Sequence, residues 1–281
     1  MRLYSDDFGY NRQVDKGIIR LIKRGKLIGV SVLSSMVNPL SLNRLKRIIA
    51  EKNNFILGLH INLIEGDPLQ TYVKIMSLSN SNGKFFPLLI FLARLFFGRI
   101  DQAEIKLEIE SQLAKLREKG FVVRMLDSHQ HTHAFSPVAE IVAEVAHEQN
   151  IPLVRNFGSI KTHSLKAKIT YAILKLFAFL SYLLAYKKFG LPASWGLKQK
   201  YDWTVMSWEG KTFSLAALDP KKAALIIHPY LPFDTNKSYL RFINSDKSEK
   251  ISRNQIIRYR KNPDLPTGRA GRPDKIRIRI N

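Results

Sequence analysis

Residues 55–63 read Phe55-Ile56-Leu57-Gly58-Leu59-His60-Ile61-Asn62-Leu63, and their alternation decides the fold. On a strand, Phe55, Leu57, Leu59, Ile61 and Leu63 fall on one face, and Gly58, His60 and Asn62 on the other. An apolar outer face toward helices, with polar inner residues near the strand's end, is how α/β barrels carry active sites. A single buried histidine is usually a satisfied core residue. Asn62 beside it, and Glu65-Gly66-Asp67-Pro68 just after it, favour a site here.

Two further strands point the same way. Phe121 to Leu126 reads as a short buried strand, and it leads into Asp127-Ser128-His129-Gln130-His131-Thr132-His133. Asp127, His129, His131 and His133 share one face for as long as the extended geometry lasts. A carboxylate grouped with imidazoles suits a divalent metal, and with no cysteine in the chain the ligands must be His, Asp or Glu. Near the N-terminus, a very short strand Arg2-Leu3-Tyr4 runs into Ser5-Asp6-Asp7-Phe8-Gly9. Adjacent carboxylates on a strand point to opposite faces, which suggests two different jobs. Ala223 to Ile227 is another apolar strand, ending in His228-Pro229-Tyr230, and Leu153-Val154 ends in Arg155, a candidate carboxylate partner.

Helices separate these strands. Val14 to Arg24 carries Ile18, Leu21 and Ile22 on one face and is terminated by Gly25, and Leu42 to Ala50 is also amphipathic. Asp101 to Lys119 opens with a capping box of Asp101 and Glu104 and is closed by Gly120; Ser136 caps the next helix, with Pro137 in its first turn. His147 lies among Glu144 and Glu148 and reads as solvated, as does His163 in its basic approach. Strands alternating with helices over 281 residues predict a single-domain α/β barrel. The barrel is expected over residues 1–262, with an apolar helical insertion at 169–189 and a basic, disordered tail at 263–281.

The formal net charge of +22 invites a nucleic-acid reading. The basic residues are spread through most helices, however, and no zinc finger, RNA-recognition motif or basic zipper is present, so no specific nucleic-acid partner is expected. No basic region followed by an apolar run and a small-residue cleavage site opens the sequence, which predicts a cytoplasmic location. Two apolar segments, Phe85 to Phe97 and Ile169 to Tyr186, each hold one basic residue, Arg94 and Lys175. They suit burial against the barrel, or peripheral docking on an anionic membrane.

Together Asp6-Asp7-Phe8-Gly9, Gly58 to Leu63 with Glu65-Gly66 and Pro68, Asp127 to His133, and His228-Pro229 resemble the YdjC/ChbG family of carbohydrate deacetylases. That family includes hopanoid-biosynthesis relatives. The resemblance covers roughly residues 1–230. It implies a distorted, TIM-like (β/α) barrel with one divalent ion, magnesium or zinc, and removal of acetyl groups from N-acetylated sugars, either oligosaccharides or lipid-linked amino-sugars. It makes Asp7, His60 and His129 the metal ligands. Asp6 becomes the general base toward a metal-activated water, His228 the acid toward the departing amine, and Arg155 the partner of the catalytic carboxylate. Asn62, His131, His133 and Tyr230 are left as substrate-binding or supporting residues. The chain departs from the family pattern at Tyr4-Ser5, where Asn-Ala is usual, and at Tyr230, where Gly is common.

Two other readings compete. One is a metal-dependent amidohydrolase or phosphoesterase acting on a non-sugar substrate. The other is an inactive barrel that binds a membrane or anionic polymer. A homodimer is left open.

Overall fold

The computed structural model describes residues 2–52, 54–155, 159–161, 165–189, 202–206 and 223–227. Its strands are β1 (Arg2–Phe8), β2 (Leu27–Val32), β3 (Ile56–Ile61), β4 (Met125–Ser128), β5 (Leu153–Val154), β6 (Ser159–Lys161), β7 (Asp202–Met206) and β8 (Ala223–Ile227). They form one sheet in the order β5-β4-β3-β2-β1-β8-β7-β6, and every ladder is parallel. Parallel neighbours need crossover connections, which the helices supply. The first strand pairs with the second on one side and the last on the other, as in a barrel. Among the described residues no ladder joins β5 to β6, and the fold is a distorted, TIM-like barrel in a single domain.

The helices are α1 (Arg12–Lys23), α2 (Pro39–Ile49), α3 (Leu88–Phe96), α4 (Gln102–Glu118), α5 (Val138–Glu148) and α6 (Leu165–Phe189). Asn11 caps α1 by accepting from the amides of Gln13 and Val14, so the helix starts two residues before the first apolar position. Asp101 caps α4 by accepting from the Ala103 amide. The reciprocal half of the expected capping box does not form: Glu104 instead accepts from the Ser77 amide and hydroxyl and ties down the loop after β3. Ser136 likewise leaves its expected cap role and donates to Glu140. The apolar side chains of β2 and β3 meet α1, α2, α4 and α5 in one continuous core that includes Ile18, Leu21, Leu45, Leu59, Ile61, Ile109 and Val142.

The inner face is polar and packed. Tyr4 is fully buried there, and its hydroxyl hydrogen-bonds Ser31 Oγ at 2.8 Å. Room for its ring comes from two glycines. A Cβ on Gly58 would lie 2.5 Å from both Ser31 Oγ and Tyr4 OH, and one on Gly29 would lie 2.3 Å from the Ile56 carbonyl. Gly58→Ala is expected to cost about 1–3 kcal/mol by overpacking, read as a lowered thermal midpoint. An unchanged midpoint would mean that Tyr4 does not occupy this space.

The expected strand at Phe121 to Leu126 is displaced. Phe121 and Val123 are buried, but the ladder with β3 runs from Met125 to Ser128, so Asp127 and Ser128 are strand residues. The apolar segment at 169–189 is part of α6, which begins at Leu165 and occupies the crossover between β6 and β7. The expected tail at 263–281 and His163 lie outside the described residues.

Candidate metal centre

The site lies where the carboxyl ends of β1, β3 and β4 meet. Between Ser5 and Phe8 the pairing of β1 with β2 shifts register, and Asp7 takes a positive φ of 63°. This bulge breaks strict alternation. The neighbouring carboxylates therefore do not part to opposite faces: Asp6 and Asp7 are both buried, and each has a carboxylate oxygen within 4.8 Å of a His60 ring nitrogen. On β3, His60 sits opposite Asp127 of β4 in the ladder, and its Nδ1–H donates to Asp127 Oδ1 at 2.6 Å. That bond turns Nε2 toward Asp7 Oδ1, 3.2 Å away. Beyond Ser128 the extended chain stops, because Gln130 and His131 adopt positive φ values of 46° and 61° in a 3-10 turn, His129–Ala134. The turn brings His129 Nδ1 to 3.0 Å from Asp7 Oδ1.

Asp7, His60 and His129 thus each offer a ligand atom, all within 4.8 Å of one another and all buried. One carboxylate with two imidazoles is a donor set for zinc or a similar divalent ion that leaves coordination positions open. Asp6, His60 and Asp127 form a second such group, but the guanidinium of Arg155 already lies there. Its Nη1 is 2.6 Å from Asp6 Oδ1 and 3.0 Å from Asp127 Oδ2. A cation there would face that fixed positive charge, so the first group fits an ion better.

Charge balance points the same way. Three buried carboxylates, Asp6, Asp7 and Asp127, stand against one guanidinium, which leaves two negative charges for a divalent ion or two protons to offset. Without an ion the same carboxylates favour the protonated form of the histidines. Burial pulls the His60 pKa down, but Asp127, Asp7 and Asp6 outweigh it and push the ring up to about 10. Burial also opposes the charged form of His129, and hydrogen bonds to Asp7 and Glu65 overcome it, so its pKa is raised too.

A family model described as YdjC-like protein matches residues 2–262. The chain belongs to the YdjC-like family. A carbohydrate deacetylase of Thermoanaerobacter pseudethanolicus is 30% identical over 152 residues, covering 53% of this chain and 57% of that protein. One from Danio rerio is 31% identical over 151 residues, covering 53% of this chain and 47% of that protein. The chain spans about half the length of the curated relatives it matches. The crystal structure of a candidate cellobiose-phosphate cleavage protein from Enterococcus faecalis covers 85% of both chains with a TM-score of 0.54 at 16% identity, a likeness of fold.

In this YdjC-like chain the remaining residues singled out in the sequence take distinct places. His133 is buried, and burial together with Arg155 pushes its pKa down to about 3. The neutral ring donates from Nε2 to the Arg155 carbonyl at 3.1 Å and accepts from the Ser128 hydroxyl at Nδ1, so it pins Arg155 from behind. Asn62 is buried and accepts from the amides of Ile64 and Glu65 while donating to the Glu65 carbonyl at 2.6 Å. It shapes the turn after β3 that carries Glu65. His131 lies outside the ligand cluster, edge-on to Tyr171 with ring centroids 6.5 Å apart. His228 and Tyr230 lie outside the described residues.

Two residues have a larger part than their sequence context suggested. Glu65 Oε2 is 2.9 Å from His129 Nε2, and its other oxygen accepts from Tyr10 OH at 3.1 Å. Its carboxyl is accordingly held below the usual carboxylate range, first by the His129 hydrogen bond. Asp127 gathers His60, Arg155 and the Ser31 hydroxyl, the last at 2.6 Å. The Glu65-Gly66 turn and the Asp-x-His spacing were visible in the sequence, but the partners come from distant parts of the chain.

The proton balance makes a prediction. A histidine whose folded pKa is raised from 6.5 to about 10 stabilises the ion-free fold fully below pH 6.5, and that contribution is lost as pH rises through 10. The thermal midpoint of chelator-treated protein should therefore fall across this interval. An ion competes with the same protons, so its binding should release at least the His60 proton at neutral pH, measurable by calorimetry in buffers of different ionisation enthalpy. A flat midpoint profile together with no proton release would contradict the balance.

Proposed function

We propose that this chain is a metal-dependent hydrolase that removes the acetyl group from an N-acetylated sugar. The observation that carries the reading is the convergence of Asp7, His60 and His129 beside a second buried carboxylate, Asp6, that is held by a buried arginine. A divalent ion held by Asp7, His60 and His129 would supply Lewis acidity toward a water molecule and the acetamide carbonyl.

The chain's own residues supply the rest. Asp6 accepts the proton of the attacking water, and Arg155 fixes its orientation through the 2.6 Å ion pair. As the oxygen of that water bonds to the acetyl carbon and the carbon–nitrogen bond breaks, the amine must gain a proton, and His228 is the proposed donor. Acetate and a free amino-sugar result. Asp127 and the Ser31 hydroxyl hold His60 with its Nε2 toward Asp7. Glu65 and Tyr10 hold His129 from the other side.

The names of the relatives favour an acetylated sugar as substrate, whether an oligosaccharide or a lipid-linked amino-sugar. The test is acetate release by the full chain, supplied with zinc or magnesium, across N-acetylglucosamine, chitobiose, chitotriose and lipid-linked N-acetyl amino-sugars. Ion-dependent release from at least one class is expected. Hydrolysis of non-sugar amides or phosphoesters, with none of these sugars cleaved, would overturn the reading.

A further inference from the structure

Helix α6 is rich in apolar residues, and among the described residues only part of its surface has a partner in the barrel. Tyr171 and Ser181 are buried, and they lie on the face turned inward. Ser181 donates to the Ala134 carbonyl at 3.2 Å, Tyr171 meets His131, and Phe177 meets Phe135 with centroids 5.4 Å apart. The inner face of the helix therefore rests on the turn that carries His129. On the outer side, Ile169, Ile173, Leu176, Leu180 and Leu183 follow spacings of three and four and form one stripe, each between 40% and 59% exposed. Exposed aliphatic stripes of this length on soluble chains mark interaction surfaces.

The charge on the helix selects the partner. Leu165–Phe189 contains Lys166, Lys168, Lys175, Lys187 and Lys188 and no acidic residue. Lys168 and Lys175 are exposed beside the stripe, and a lysine stem can lie on apolar surface with its ammonium group in a polar layer. A second copy of this face would bring like charges together, in a chain that already carries +22. Among the described residues no helix is long and apolar enough to cross a membrane. We propose that the outer face of α6 lies on the surface of a bilayer containing anionic phospholipid, its aliphatic stripe among the acyl chains and its exposed lysines at the headgroups. The helix is about 10–12 Å thick with its side chains, so docking would hold the His129 turn within about one helix diameter of the lipid surface. The proposal stands apart from the hydrolase reading, because vesicle binding is read without turnover.

The experiment is co-sedimentation of the full chain with vesicles of zwitterionic phospholipid, with and without an anionic phospholipid, at low and high salt. Binding to the anionic vesicles at low salt and its loss at high salt are expected. Ile173→Glu with Leu180→Glu should weaken partitioning at least about tenfold, and Lys168→Glu with Lys175→Glu should do the same at about fivefold or more per lysine. Both lysines are exposed, so this pair, itself checked by circular dichroism, keeps the test decisive should the first pair fail to fold. No binding to anionic vesicles at low salt would overturn the proposal. So would equal binding to neutral vesicles, binding untouched by both pairs, or an α6-dependent self-association in place of vesicle binding.

Discussion

Asp6→Asn should retain the ion and lose most deacetylation, about 10²–10⁴-fold in turnover, the usual worth of a general base. The amide is nearly isosteric with the carboxylate but does not take up a proton. Arg155 still has Asp127 Oδ2 at 3.0 Å, so the substitution does not strand a buried guanidinium without a carboxylate, and the chain should fold. Asp7→Asn should behave differently: its Oδ1 is the atom shared by His60 Nε2 and His129 Nδ1, so ion affinity itself should fall. Turnover near wild type for Asp6→Asn, with the ion retained, would remove Asp6 from the base role.

Asp127→Asn carries the largest expected effect on stability. Its carboxylate is fully buried and is shared by His60 Nδ1, Arg155 Nη1 and Ser31 Oγ. Removing one member of a buried charge network leaves the others uncompensated, at a cost of about 3–5 kcal/mol. His60 also loses the partner that sets its tautomer, which should weaken ion binding about 10–100-fold. Ser31→Ala removes the hydrogen bonds to Tyr4 and Asp127 but no charge, and should cost about 1–3 kcal/mol. Chemical denaturation of the two variants separates them. Equal effects would mean that Asp127 is no more than a hydrogen-bond acceptor for Ser31.

The alternation in Phe55 to Leu63 was legible because both faces of β3 are buried but one meets apolar helices and the other the polar barrel interior, so polarity follows period two. It correctly placed His60 inward. In β4 the same logic started the strand too early, because Phe121 and Val123 are buried on the approach to the sheet without belonging to the ladder. The shared face expected for His129, His131 and His133 fails for a local reason. Two consecutive residues enter the left-handed region, and the three rings go to Asp7, Tyr171 and Arg155 respectively.

Other features depended on contacts between distant parts of the chain. The bulge at Asp6 and Asp7 arises from the register of β1 on β2, which neighbouring residues alone do not specify. Asp127 read as a chelating neighbour of His129, whereas the ladder places it opposite His60. Arg155 was recognisable as a carboxylate partner, but its second carboxylate, Asp127, follows only from the order of β5, β4 and β3. The outward stripe of α6 was visible as hydrophobicity, and its exposure emerged only once Tyr171 and Ser181 were seen to take the inward face.

The central claim is that Asp7, His60 and His129 form one ion site, and titration calorimetry of chelator-treated full-length chain with zinc and with magnesium tests it most directly. One site per chain for at least one of these ions is expected, and His60→Ala and His129→Ala should each abolish it while the fold is retained by circular dichroism. Absence of any stoichiometric site, or a site that survives both substitutions, would contradict the account.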